Sequence, residues 1–450
     1  MLNLFENYLE KEQDLHESLK KSGYKQPTVV LIDEGYLPED VTSPISFFTQ
    51  MNKTPQKRKN SPKFFNEVTV PYYWEIKGDG QKAEIFDGYQ KKGNIVYSQR
   101  RGDYRAVKAV EWLNEQEKVR SIDLYNKYGA LFGKKNYSDG KLTLTTYFDS
   151  QRQEVLLFNH ITGTIQVNYQ GKKYIFETFN DFIMFYFKAA KLDESKIFYN
   201  SLGAPFFIIE ALQEKNSQKI YQHILFWQEK SAKIPGNMQY LLEDKDTATK
   251  QIVIQNREEY FRIKEQIKGK LKSNVNVEYL GFIYDLKTRQ TVDESILIIT
   301  NSDEIENLDA LLKALPHHQF SIAARTTMSE RLLAYDHYTN VTLYPTVAED
   351  KISMLLEKNS FYLDINYGSE VDQIIRKAFE NNQLIFAFNE TRHSKEYIYQ
   401  ENIFNKTQVD QFVNAIKRVS QNKEEYHKYL DIQWWTAGQS TPEIYKGVLK

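Results

Sequence analysis

The spacing of apolar residues changes twice along the chain and divides it into three parts. Residues 1–22 carry Leu4, Phe5, Leu9, Leu15 and Leu19 among Glu and Lys, which predicts one amphipathic helix stopped by Gly23. After Pro27 the run Thr28–Ile32 is β-branched and apolar, as a buried parallel strand requires, and Asp33-Glu34-Gly35 ends it. Tyr36–Gln50 reads as a loop anchored by Phe47 and Phe48. From Phe64 to Phe179 the pattern becomes short alternating runs, separated by turn signals such as Gly78-Asp79-Gly80 and Ser138-Asp139-Gly140. This predicts an antiparallel meander of about eight to ten strands. Helical spacing resumes at Asn180, with helices over Asn180–Leu192 and Pro205–Leu212 and strands over Ile197–Tyr199, Gln239–Leu242 and Gln251–Ile254. The charged segment Glu258–Lys272 predicts a helix joining a second α/β lobe, whose strands include Val275–Tyr279, Ser295–Thr300, Gln319–Ala323 and Val341–Tyr344.

Phe361–Asn389 is the most informative stretch. Phe361–Asn366 is a strand pattern, Gly368 permits a turn, and Val371, Ile374, Ile375 and Ala378 share one helical face. Asn381-Asn382 stops that helix, and Leu384–Phe388 is a buried-strand run. In an open parallel sheet the loop between such a strand and helix faces the ligand crevice. The expected fold class is therefore α/β: two Rossmann-like lobes, with the meander inserted in the first. The expected boundaries are 1–63 with 180–272 for the first lobe, 64–179 for the insert, 273–430 for the second lobe and 431–450 for a helical or extended tail.

Composition narrows the function. The chain has 450 residues with 59 basic against 60 acidic side chains, a balance unlike that of a dedicated nucleic-acid binder. It contains no cysteine, so disulfides, thiolate metal sites and a thiol nucleophile are excluded. No signal peptide or membrane-length apolar run is visible, which predicts a cytoplasmic protein without a transmembrane segment.

The opening LFENYLEKEQDLHESLKKSGYKQPTVVLIDEGYLPEDVTSPISFF, followed by the meander between two α/β lobes, resembles the stabilising subunit of the bacterial glycosyltransferase that modifies serine-rich-repeat adhesins. The resemblance implies a GT-B-like architecture. It also implies a hetero-oligomer, two copies of each subunit, with a catalytic partner that transfers N-acetylglucosamine from UDP-GlcNAc to Ser and Thr hydroxyls. The adhesin is the acceptor, and the accessory Sec export machinery places the complex at the inner face of the cell membrane.

The residues allow an independent test of the non-catalytic part. A retaining enzyme of this type stabilises the leaving diphosphate with cations after a strand of the second lobe. Here Ser295–Thr300 is followed by Asn301-Ser302-Asp303-Glu304, which is acidic. Such enzymes also carry two glutamates eight residues apart beside the helix–strand turn. In the register set by Ala378 and Leu384–Phe388 those positions hold Ser369 and Lys377. A shifted register would instead offer Asp372 and Glu380, with Glu370 nearby; the alternative reading is solvent at the helix end for Glu380 and the first helical turn for Asp372. His317-His318 reads as a solvated turn, and His223 and His393 are lone histidines without metal-ligand spacing.

The expectation is a non-catalytic subunit that uses no cofactor and no metal. Candidate acceptor contacts are Tyr72, Tyr73, Trp74, Tyr97, Arg100 and Arg101; a second basic cluster is Lys57-Arg58-Lys59. The alternatives are a retaining transferase that itself uses UDP-GlcNAc, and a free-standing carbohydrate-binding protein.

Overall fold

The computed structural model describes residues 1–51, 61–78, 82–98, 105–215, 218–269, 273–289 and 291–449. They form two compact units, Met1–Tyr279 and Leu280–Lys450.

The first unit is built on a parallel sheet whose strands, taken across it, are Asn276–Tyr279, Thr249–Ile254, His223–Trp227, Ile197–Tyr199, Leu2–Phe5, Thr28–Val30 and Val41–Thr42. The first strand in sequence thus lies in the middle, and the order reverses between it and Ile197–Tyr199. Residues 2–5 were expected to begin a helix; they form this central strand instead, and the helix is Glu10–Lys21. The physical reason is burial on both faces. Leu2, Asn3, Leu4 and Phe5 are all fully buried, so no alternation distinguishes them from a helical stripe. Leu9 is exposed and caps the helix rather than joining its apolar face. Two further expectations change. Residues 239–242 belong to the helix Gly236–Glu243, and Asn276–Tyr279 pairs with Thr249–Ile254 rather than opening the second lobe.

The meander is a sheet of ten antiparallel strands in sequence order, from Trp74–Gly78 to Lys172–Phe176. It interrupts the connection from Val41–Thr42 to Ile197–Tyr199, where the order of the parallel sheet reverses. Its later strands share one core with the parallel sheet, through Phe132, Tyr147, Leu156 and Val167. The expected anchor at Phe47-Phe48 is the aromatic hub of this junction. Phe48 meets Tyr169, Phe182 and Phe185 at ring distances of 5.3, 5.8 and 5.9 Å. The earlier strands have a smaller core of their own around Ile85, Ile95 and Val110.

Asp33-Glu34-Gly35 fastens the meander at its middle. Asp33 accepts hydrogen bonds from the Gly35 amide at 2.7 Å and the Ser43 hydroxyl at 2.5 Å. Lys127 N donates to Gly35 O at 2.9 Å, and Tyr36 Oη to Val107 O at 2.9 Å. Gly35 has φ +85°, and a Cβ there would lie 2.6 Å from the Phe132 ring.

The second unit has a parallel sheet with strands Val341–Tyr344, Gln319–Ala324, Ser295–Thr300, Phe361–Asp364, Leu384–Phe388 and Ile403–Phe404 across it. Its order also reverses beside the first strand, the doubly wound arrangement of dinucleotide-binding lobes. The segment leading into it is held by Arg289, whose guanidinium donates to the carbonyls of Leu356, Glu357, Asn381 and Asn382 near two helix ends. The expected tail holds the end of the helix Lys423–Ala437 and the helix Pro442–Val448, which folds back onto this unit through Tyr445 Oη to Gly281 O at 2.7 Å. The architecture is GT-B-like, as the resemblance implied.

Gly35→Val adds both strain at a left-handed φ and overlap with Phe132, so the expected loss of unfolding free energy is about 3 kcal/mol. A denaturant titration measures it; an unchanged midpoint would mean the meander is not anchored here.

Candidate functional site

In the second unit the strand order reverses between Ser295–Thr300 and Phe361–Asp364. The loops after these strands frame the crevice where such sheets bind nucleotides. Here the two loops are joined. Glu306 N donates to Ile365 O at 2.8 Å and Tyr367 N to Glu304 O at 3.0 Å, while Ile305 and Asn366 form an antiparallel bridge. Tyr367 Oη also donates to the Glu306 carboxylate. Two of the sequence-predicted donor positions meet directly: Asn301 Nδ2 donates to Ser369 Oγ at 2.8 Å. Gly368 is required by this approach, since a Cβ on it would lie 1.7 Å from Asn301 Oδ1.

His393, read from sequence as a lone histidine, holds the same loop. Its Nδ1 is 2.5 Å from Asp364 Oδ1, its Nε2 is 2.6 Å from Gly368 O, and its amide donates to Asp364 Oδ2 at 2.7 Å. Only an imidazolium donates from both ring nitrogens. The Asp364 hydrogen bond accordingly raises the His393 pKa from 6.5 to about 9. Asp364 itself is fully buried at the end of its strand.

The third donor position, Lys377, is buried in the helix Ile374–Glu380 and donates to Glu349 Oε1 at 2.7 Å. Glu349 Oε2 accepts from Arg325 Nη2 at 2.5 Å, and Arg325 Nε donates to Asp372 Oδ2 at 2.6 Å. The resulting chain Lys377–Glu349–Arg325–Asp372 balances two cations with two carboxylates. The alternative acid pair is not assembled. Asp372 precedes the helix with φ +49° and is bound to Arg325, not placed in a first helical turn. Glu380 is largely buried and pairs with Arg376 Nε at 2.8 Å, which corrects its reading as a solvated helix end. Glu370 accepts from the Ile375 amide at 3.0 Å. Backbone pairing across the two loops and the partner of His393 are non-local, so no motif signals either.

The remaining candidates separate. Tyr72 and Tyr73 are 94% and 83% exposed with rings 5.4 Å apart, just before the meander's edge strand. Trp74 and Tyr97 are instead half-buried against the smaller meander core. Arg100, Arg101 and Lys57-Arg58-Lys59 lie outside the described residues. His318 is buried with Nε2 3.1 Å from Ser420 Oγ, not a solvated turn, and burial lowers its pKa. His223 is buried, and its Nδ1 accepts from the Ile197 amide at 3.0 Å, which orders the strand rather than a ligand. The one grouping among the described residues with metal-ligand proximity is His16, Glu17 and Asp40; the Lys20 ammonium lies 2.9 Å from Glu17 and 2.7 Å from Asp40 and supplies the positive charge.

Fold and site together define a GT-B-like protein whose second-lobe crevice is bridged by its own backbone and its own ion pairs. Four family models match successive parts of the chain: the GtfB N-terminal domain over residues 2–48, the GtfB middle domain over 74–177, the GtfB third domain over 180–266 and the GftB/GlyA-F C-terminal domain over 296–433. The UDP-N-acetylglucosamine–peptide N-acetylglucosaminyltransferase stabilizing protein GtfB of Streptococcus agalactiae is 37% identical, covering 100% of this chain and 99% of its own length. Its counterpart in Streptococcus gordonii is also 37% identical, covering 100% and 98%. A chain in a crystal structure of a GtfA/B complex bound to UDP and GlcNAc matches with a TM-score of 0.92 at 36% identity, covering 100% of this chain and 99% of that one. The chain belongs to the GtfB family of glycosyltransferase-stabilising proteins.

His393→Ala leaves the buried Asp364 carboxylate without its cation and lowers unfolding free energy by about 3 kcal/mol. The parent protein carries a matching pH signature. Because the folded pKa is raised, the contribution is complete below pH 6.5, shrinks as pH rises, and is gone above about 9. Denaturation midpoints from pH 6 to pH 10 measure this slope, and it should vanish in His393→Gln. Lys377→Glu places a carboxylate at the position the sequence register singled out but sets it against Glu349. A loss of about 3 kcal/mol without any hydrolysis of UDP-GlcNAc is expected, read by thermal melts and released UDP.

Proposed function

We propose that this chain is the non-catalytic subunit of a protein O-GlcNAc transferase. It docks a catalytic GtfA-type partner as a hetero-oligomer with two copies of each subunit, stabilises and activates it, and binds the Ser/Thr-rich adhesin acceptor. The observation that carries this reading is the bridged crevice of the second lobe. The cations and carboxylates a donor site requires are committed to one another, in a chain that belongs to the stabilising-protein family.

Two physical effects give such a subunit its role. A partner that binds only the folded transferase stabilises it by mass action, about 2.7 kcal/mol at a hundredfold excess over Kd. An acceptor held by one subunit is presented to the other at raised effective concentration, with gains on the order of 10²–10⁴. Tyr72 and Tyr73 offer exposed rings for an extended hydroxyl-rich peptide or its sugars. Among the described residues no helix is long and apolar enough to cross a membrane, so placement at the inner membrane face rests on partners.

Purified alone with UDP-GlcNAc and a Ser/Thr-rich peptide, the chain should transfer no sugar. Co-expressed with the catalytic subunit, it should co-purify, raise the partner's melting midpoint and increase peptide glycosylation by about a hundredfold. Turnover by the isolated chain would overturn the proposal.

A further inference from the structure

His393 belongs to a short irregular segment that is fixed at both ends. At the crevice end Thr391 Oγ1 donates to Asp364 O at 3.1 Å, beside the ring contacts of His393 with Asp364 and Gly368. Lys395 and Glu396 are exposed, and Tyr397 and Ile398 are buried again.

The far end is a triangle of rings. Tyr397 lies 5.1 Å from Phe379 and 6.0 Å from Tyr284, and Tyr284 lies 5.1 Å from Phe379. All three side chains are buried, and ring pairs at such separations attract each other beyond the area they bury. The Arg376 guanidinium lies 5.6 Å from the centre of the Tyr284 ring. Phe379 and Arg376 belong to the helix Ile374–Glu380, which follows the Gly368 loop and is tied to it where Ile375 N donates to Glu370. The crevice loop therefore reaches the triangle by two routes, one through this helix and one through His393.

Tyr284 lies on the segment by which the chain enters this unit at Leu280. That segment is held by the C-terminal helices. Phe282 N donates to Gly438 O at 3.0 Å, Ser440 N to Phe282 O at 2.7 Å and Tyr284 Oη to Ala437 O at 3.2 Å. The ring triangle ties the same segment to the crevice side. Close-packed rings and hydrogen-bonded charges have few alternative arrangements, so a displacement at one end is passed along rather than absorbed.

We propose that residues 391–398, with the helix Ile374–Glu380, form a strut that couples the His393 clasp on the crevice to the entry segment 280–284, so that loosening either end loosens the other. A partner or ligand that pulls on one end thereby acts on both. Coupling of this kind is reciprocal and can be measured from each end.

The test is hydrogen–deuterium exchange of the full chain, read by mass spectrometry over residues 280–285 and 365–370. Gln319–Ala324, which lies across Ser295–Thr300 from Phe361–Asp364, is the control strand. Tyr397→Leu removes a ring at the far end and should speed exchange in 365–370 about fivefold, as well as in 280–285. His393→Gln releases the clasp and should speed exchange in 280–285 by a similar factor. The control strand should keep its parent rate in both. A response that fails to cross to the other end, in either variant, overturns the strut. Should either variant speed the control strand, Thr391→Val repeats the test by removing only the hydroxyl that donates to Asp364 O and Phe388 O. Faster exchange in 365–370 with an unchanged rate in 280–285 then overturns the strut, and faster exchange in both supports it.

Discussion

A carboxylate buried at the end of a central strand has to be paired, and Asp364 is paired with His393. That contact organises the second unit's crevice. It keeps the imidazole charged, the charged ring takes the Gly368 carbonyl, and the loop carrying Gly368 is thereby held against Asn301 and Ser302. The backbone bonds between residues 304–306 and 365–367 complete the closure. The place where a doubly wound sheet ordinarily receives a nucleotide is thus spanned by protein.

The ion pairs around it follow the same logic. A donor site needs cations with unspent hydrogen-bonding capacity at the moment charge develops on a leaving group. Arg325 and Lys377 are in the neighbourhood but share Glu349, and Arg325 also holds Asp372. Buried and half-buried pairs of this kind contribute modestly to stability when intact and cost several kcal/mol when one member is removed. The arrangement therefore preserves the lobe while withholding the chemistry.

The first unit's crevice is furnished with amides beside charged groups: Asn200 donates to the Glu12 carboxylate, and the Lys11 ammonium donates to the Gln228 carbonyl. Its strands leave amides at their carboxyl ends, and the inserted meander is fastened nearby in the chain, through Asp33, Gly35 and the Phe47-Phe48 hub. The same sheet topology is thus furnished differently in the two units, one crevice spanned by salt bridges and backbone pairing, the other holding amides hydrogen-bonded beside Glu12 and Lys11.

Much of this was legible in the sequence. Period alone separated the meander from the parallel layers, because alternation and helical spacing are local properties of neighbouring residues. The runs Ser295–Thr300 and Leu384–Phe388 were read with their observed bounds, since buried parallel strands are continuous apolar runs flanked by turn residues. Spacing also singled out Ser369 and Lys377, and the structure places them in contact with Asn301 and Glu349. Leu2–Phe5 was not legible, because a four-residue strand buried on both faces carries no periodic mark. Nor were the partners of His393, Glu380 and Lys377. Each depends on which loops the tertiary fold brings within hydrogen-bonding distance, and that distance is set by sheet order and register, which no local pattern encodes.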